Sequence, residues 1–217
     1  MRWGLFGGTF DPVHVGHLRC AEEVREMFRL DQVIFIPAAR PPHKSEVAVT
    51  PFVHRVKMIS LAISDNPFFT LSEVENLRTG KSYSIETVRY FLDTVPSGTK
   101  LFFIVGQDTF AEITTWKDWE QLLFLCDFVV MTRGGRIEKG FYEILPPPFT
   151  RRYYYDAAID GYLGPSGKAI FFRRVSLLDV SSTEIRSLLE AGRSVRYLIP
   201  DTVLEYVNIT GCYRPSR

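Results

Sequence analysis

A chain of 217 residues with 46% hydrophobic and 14% aromatic content can bury one sizeable core, which favours a single domain over 1–217. A net charge of +1 and a pI near 7.7 leave no global basic field, so a nucleic-acid partner is not expected and any anion site must be local. Three scattered cysteines (Cys20, Cys126, Cys212), no signal-type apolar stretch after Met1, and an apolar run Leu122 to Met131 too short to span a bilayer predict a cytoplasmic chain with buried free thiols and no membrane partner.

In chain order, Leu5-Phe6 before Gly7-Gly8 reads as a short buried strand. Leu18, Ala21, Val24 and Phe28 then recur at helical spacing. Gln32 to Pro37 is the next strand, and Thr50-Pro51 predicts an N-cap and N1 proline for a helix through Met58, Ile59 and Ala62. Phe68 to Leu71 reads as a third strand, Ser82 or Ser84 as the cap of a helix carrying Val88, Phe91 and Leu92, and Leu101 to Val105 as a strand before Gly106. A helix around Trp119 to Leu125 precedes a strand Phe128 to Met131. From Gly134 to Lys168 neither period holds, and an irregular insertion is expected: an ordered surface excursion, a homo-oligomer contact or a substrate lid. Ala169 to Val175 resumes as a strand and Ser181 to Leu189 as a helix stopped by Gly192. Strands that are apolar throughout, alternating with amphipathic helices, predict an α/β fold with a doubly wound, Rossmann-like parallel sheet and a small C-terminal helical part. Ligands of such sheets bind beyond the carboxyl ends of the strands, so the loops there come first.

Gly7-Gly8-Thr9-Phe10-Asp11-Pro12-Val13-His14-Val15-Gly16-His17 lies between the first strand and first helix. Glycines permit close backbone approach, a helix N-terminus offers unpaired N–H groups to an anion, and two of the chain's four histidines fall within four residues. An ordinary strand-to-helix turn is the alternative. Ser181-Ser182-Thr183-Glu184-Ile185-Arg186 can be a capping box of Ser181 with Glu184 and nothing more, or a phosphate clamp of hydroxyls and a fork-shaped cation. Pro37 to Lys44 stiffens a loop that lifts Arg40, His43 and Lys44 above the sheet edge, either as phosphate donors or as plain surface. Asp108 after Gly106 can accept ribose hydroxyls or cap a helix, and Trp116 and Trp119, three apart, can simply be core.

Taken in order, these motifs resemble the nucleotidyltransferases of the H-x-G-H superfamily, most closely the nicotinate-mononucleotide adenylyltransferase branch. Pro-Pro-His43-Lys44, His54-Arg55, Ser82-Tyr83-Ser84, Gly106-Gln-Asp108, Thr115-Trp116 and Ser-Ser-Thr-x-Ile-Arg186 carry the closer likeness, over almost the whole chain. The resemblance implies adenylyl transfer from ATP to nicotinate mononucleotide, with pyrophosphate released, in NAD biosynthesis. It implies catalytic roles for His14, His17, Lys44 and Arg186. ATP is expected against Gly7, Gly8, Thr9, Phe10, Gly16, Gly106, Asp108, Arg133, Ser181, Ser182 and Thr183. The mononucleotide is expected against His43, Arg55, Tyr83, Ser84, Trp116 and Lys117, its pyridine ring on Trp116 and its carboxylate on backbone N–H groups near Ser84 and Lys117. Ser84 stands where family members often carry Thr, which spares a main-chain donor.

Both reactants arrive as phosphates, so the expected chemistry is direct in-line attack on the α-phosphorus without an enzyme nucleophile or general base. Mg²⁺ is expected to arrive on ATP, with no dedicated protein metal site. The rivals are transfer to nicotinamide mononucleotide or phosphopantetheine, and a non-catalytic nucleotide sensor.

Overall fold

The continuous apolar runs are strands buried on both faces. The computed structural model describes residues 1–41, 49–133 and 140–213. Its strands are β1 (Arg2–Gly8), β2 (Gln32–Pro37), β3 (Phe69–Leu71), β4 (Lys100–Gly106), β5 (Asp127–Arg133), β6 (Tyr154–Asp156), β7 (Gly161–Leu163) and β8 (Ala169–Val175). They form one sheet in the order β3-β2-β1-β4-β5-β8-β7-β6, parallel from β3 through β8 and antiparallel in the last two pairings. Side chains alternate between two cores: Phe6, Phe102, Ile104, Val129 and Met131 on one face, Leu5, Phe103, Val105, Phe128 and Val130 on the other.

The first core is covered by α1 (Val15–Phe28) and α2 (Phe52–Ala62), which place Val24, Phe28, Met58 and Ile59 in it. The second receives Val88 and Phe91 from α3 (Ser84–Thr94), Phe110 from α4 (Gln107–Phe110), Leu122 and Leu123 from α5 (Trp119–Leu125), and Phe141 and Phe149 from α6 (Phe141–Ile144) and α7 (Pro147–Thr150). α8 (Ser182–Glu190) and α9 (Asp201–Thr210) return to the first face with Ile185, Leu189, Val203 and Val207. The result is the expected doubly wound sheet with a small C-terminal helical part. Strand order reverses between β1 and β4, so the loops after Gly8 and Gly106 open at the crevice where such sheets bind ligands. No helix among the described residues is long and apolar enough to cross a membrane.

Several local expectations shift. Pro51, not Thr50, is the N-cap of α2, because its carbonyl accepts the helical N–H groups of His54 and Arg55. Tyr83 is the N-cap of α3 and Ser84 its first residue. The Ser82 hydroxyl is drawn elsewhere, accepting from Ala39 N and Arg40 N at 3.1 Å each. Trp116 and Trp119 do not share a helix: Asp118 takes a left-handed conformation (φ 51°) between them and starts α5 afresh.

The stretch 134–168 is not irregular in its described part. α6 and α7 come first, and β6 and β7 form a hairpin that extends the sheet through β8. Three-residue strands are too short to display a period of two, which is why the pattern hid them. Left-handed Asp160 turns the hairpin, and Gly161 must lack a side chain because a Cβ there would lie 2.7 Å from the Phe171 ring.

Candidate active site

The site starts where β1 ends. Gly7 is exposed at the strand tip, and a Cβ on Gly8 would press on the Phe10 ring at 3.0 Å. Phe10 itself holds a left-handed backbone (φ 50°), a conformation costing a non-glycine residue about 1–2 kcal/mol. Its ring is held edge-on to His17 and Phe6 and tilted against Phe35, and only 2% of it is exposed. Phe10 is therefore a wedge beneath the loop.

His14 is the N-cap of α1 and His17 its third residue. The His17 N–H donates to His14 Nδ1 at 3.4 Å, and the His14 N–H donates to His17 Nδ1 at 3.2 Å. The two rings stack at 3.6 Å. This reciprocal cap assigns the tautomer, since an Nδ1 that accepts from backbone N–H must carry its proton on Nε2. Each imidazole thus carries its ring proton on Nε2. His14 is 3% exposed and His17 more open, so His17 is the nearer of the two to the crevice. The Val15 N–H donates to the Leu198 carbonyl at 3.0 Å, so two of the first N–H groups of α1 are already paired inside the fold. The expected bare helix terminus is replaced by imidazole donors. Gly16 is required for this arrangement: a Cβ there would sit 2.9 Å from Val180 Cγ1 and 3.1 Å from the His14 ring.

The start of α8 closes on the same loop. Ser181 caps the helix, its Oγ accepting from Glu184 N at 3.1 Å. The Ser182 hydroxyl donates to the Pro12 carbonyl at 2.9 Å, and Arg186 donates to the Asp11 carbonyl at 2.7 Å and to Thr183 Oγ1 at 3.4 Å. The sequence motifs around residues 7–17 and 181–186 are thus brought into direct contact. Arg55, expected on the substrate, is instead 1% exposed. It donates to Thr9 O at 2.8 Å and Thr50 O at 2.9 Å. Burial pushes its guanidinium below the ordinary value, with the Asp11 charge opposing. A guanidinium in that position needs carbonyl partners, and Arg55 finds two of them in and beside the loop, which it holds from below.

Across the crevice, a Cβ at Gly7 would touch Phe103 at 3.8 Å, and the Phe103 ring meets Trp116 edge-on at 6.1 Å. Trp116 is half-buried in the loop before α5. Lys117 lies over the Tyr83 ring at 4.6 Å and donates to Glu86 at 2.7 Å, which holds its ammonium above the ordinary value. Glu86 also pairs with Arg78 at 3.5 Å. Tyr83, Ser84, Trp116 and Lys117 are so gathered as one wall. Asp108 lies in the first turn of α4 and does not cap it. Gly106 is the cap, and its missing side chain leaves room for the exposed Asp108 carboxylate, 2.6 Å from where a Cβ would stand. His43, Lys44 and the side chain of Arg133 lie outside the described residues.

Sequence reasoning gave no role to Asp11, 2% exposed at the centre of the loop. Its carboxylate accepts from Thr50 N at 3.2 Å and from the Tyr213 hydroxyl at 2.7 Å. A carboxylate inside a glycine-rich loop, and an aromatic following the glycine that ends the last helix, were the signals available.

The comparisons with known proteins agree with this geometry. The sequence profile described as cytidylyltransferase-like matches residues 5–188. A protein of Geobacter sp. (strain M21) is 43% identical over 217 residues, covering 100% of both chains, and one of Geobacter sulfurreducens is 44% identical over 208 residues, covering 96% of both. Each bears the name "Probable nicotinate-nucleotide adenylyltransferase". Among solved structures, the Plasmodium falciparum nicotinic acid mononucleotide adenylyltransferase complexed with NaAD superposes with a TM-score of 0.72 at 16% identity, over 98% of this chain and 97% of that one. At that identity the superposition speaks for the fold alone. A full-length match at this level, on a sheet whose crevice carries the paired imidazoles and their clamp, means that the chain belongs to the cytidylyltransferase-like family and, within it, to the nicotinate-nucleotide adenylyltransferases.

Proposed function

We propose that this chain transfers the adenylyl group of ATP to the phosphate of nicotinate mononucleotide, giving nicotinate adenine dinucleotide and pyrophosphate in NAD biosynthesis in the cytoplasm. A phosphate oxygen of the mononucleotide attacks the α-phosphorus in line, and the bond from that phosphorus to the β-phosphate oxygen breaks. Negative charge gathers on the departing pyrophosphate. The observation that carries this reading is the reciprocal cap of His14 and His17, which fixes two Nε2–H donors at the end of β1 without needing protonated rings. Donors fixed in advance stabilise such charge without reorganisation.

Arg186 and Ser182 hold the loop that carries these donors, and the open backbone at Gly7 admits the nucleotide. Asp108, exposed beside Gly106, is set to accept ribose hydroxyls. The wall of Tyr83, Ser84, Trp116 and Lys117 suits a flat ring on Trp116 with its carboxylate at the start of α3. Mg²⁺ enters as part of the nucleotide.

The test is pyrophosphate release from ATP and Mg²⁺ with nicotinate mononucleotide, nicotinamide mononucleotide and phosphopantetheine in parallel at equal concentration. The expected outcome is strong preference for the nicotinate form. Activity with phosphopantetheine alone would keep the chemistry and remove the pyridine wall, and silence with all three would leave a nucleotide sensor.

A further inference from the structure

The C-terminal segment reaches the centre of the site. α9 is tied to α2 by the Tyr206 hydroxyl against His54 Nδ1 at 2.8 Å and by Thr202 donating to Leu61 O at 3.3 Å. At the end of α9 the chain reverses through Gly211 in a left-handed conformation (φ 72°), the ordinary helix C-cap geometry. Two residues later Tyr213 is itself left-handed (φ 69°), a strained position for an aromatic residue. Its side chain is thereby turned back into the first core, with its oxygen 4.0 Å from Met58 Sδ and its O–H donating to Asp11 Oδ1 at 2.7 Å.

That bond completes the surroundings of a buried carboxylate. Asp11 Oδ2 has the Thr50 N–H at 3.2 Å and the Arg186 guanidinium at 4.0 Å, while Oδ1 has the Tyr213 hydroxyl. The residues on either side of Asp11 are gripped as well, Thr9 O by Arg55 and Pro12 O by Ser182. His14 follows three residues later. The loop that aims the imidazoles is therefore held from α2, from α8 and from the C-terminal tail. The tail acts on the carboxylate through a neutral hydroxyl, which burial and the adjacent carboxylate keep protonated by pushing the phenol above its ordinary range.

We propose that Tyr213 is a positioning residue for the His14–His17 pair, acting through Asp11, so that the turn after α9 sets the geometry of the adenylyl-transfer site. The inference rests on reading that loop as the triphosphate site. A strained backbone at Tyr213 is consistent with it, since a ring kept in that conformation must be over-determined by its contacts.

The test compares the full-length protein with Tyr213→Phe, which keeps the ring in the core and removes only the donor. The expected result is a kcat lowered about tenfold, roughly 1.4 kcal/mol of transition-state stabilisation, with KM for both substrates within twofold. A merely structural role would move the melting temperature and leave kcat of the folded enzyme unchanged, and that outcome overturns the proposal. Adding Asp11→Asn gives the coupling: Tyr213→Phe is expected to cost little more in that background, and fully additive losses would show that Tyr213 does not act through Asp11. Should the parent protein prove inactive, the reading of the reaction falls on its own. Imidazole nitrogen NMR then still decides the contact: His14 and His17 signals that shift in Tyr213→Phe sustain it, and unchanged signals overturn it.

Discussion

The helix starts of α1 and α8 carry the same kind of sequence, a polar cap after a loop, yet they do opposite things. At α1 the first turn closes on itself through two imidazoles, each accepting from the other's backbone. At α8 the cap is a plain serine, and the side chains of the first turn and a half reach over to the carbonyls of Pro12 and Asp11. On the function proposed above, one helix start displays chemistry and the other holds it in place. Capping propensity alone does not decide between the two uses. Which backbone carbonyls lie within reach of the side chains does, and that is a property of the assembled sheet.

The largest expected effect tests the displaying side. His17→Ala removes an Nε2–H donor and half of the reciprocal cap, and is expected to lower kcat by about 10² to 10³, or roughly 2.7 to 4 kcal/mol of transition-state stabilisation. Pyrophosphate release at saturating substrates measures it, alongside a melting curve that separates the lost cap from the lost donor. Turnover near the parent's would erase the distinction, because His17 would then be a cap like Ser181.

How much of this was legible in the sequence follows from the reach of the interactions. The sheet was legible because Leu5-Phe6, Val33 to Ile36, Leu101 to Val105 and Phe128 to Met131 are buried on both faces, and a continuous apolar run is a local signal. The hairpin Tyr154 to Leu163 was not, since strands of three residues leave no period to count. In the site, His14, Gly16 and His17 stand within one turn and read as a unit. Arg55, expected against the mononucleotide, is buried and bonded to two carbonyls of its own chain, one of them 46 residues away, which no local run of residues announces. Ser82, taken for a cap, serves Ala39 and Arg40 from forty-odd residues away, and Tyr213 meets Asp11 across 202. Such partners share no window of sequence.

A middle-sized effect tests the seam between the two helix starts. Val180, directly before the Ser181 cap, is the residue that a Cβ on Gly16 would meet at 2.9 Å, with the His14 ring at 3.1 Å on the same atom. Alanine gains about 0.8–1.0 kcal/mol of helix propensity over glycine, whereas forcing a methyl into packed surroundings costs about 1–3 kcal/mol. Valine is stiff and buried here, and the imidazole is held by its cap, so neither gives way easily. Gly16→Ala is expected to lower the melting temperature by a few degrees and to lower kcat with it, through a displaced His14. A variant that melts higher and turns over normally would mean that the two helix starts are not coupled at Gly16.

The smallest effect tests the holding side where it is least engaged. Ser181 is exposed, and its hydroxyl accepts the Glu184 N–H, one bond within its own helix. Removing an N-cap hydroxyl costs about 1 kcal/mol, which for a chain of this size shifts the melting temperature by about 2–4 °C. Ser181→Ala should show that shift and leave kcat within twofold, because Ser182 and Arg186, not Ser181, grip the loop carbonyls. A tenfold loss of kcat at unchanged stability would place the Ser181 hydroxyl on ATP itself. The start of α8 would then display chemistry as α1 does, and the division of labour between them would have to be drawn at Arg186 instead.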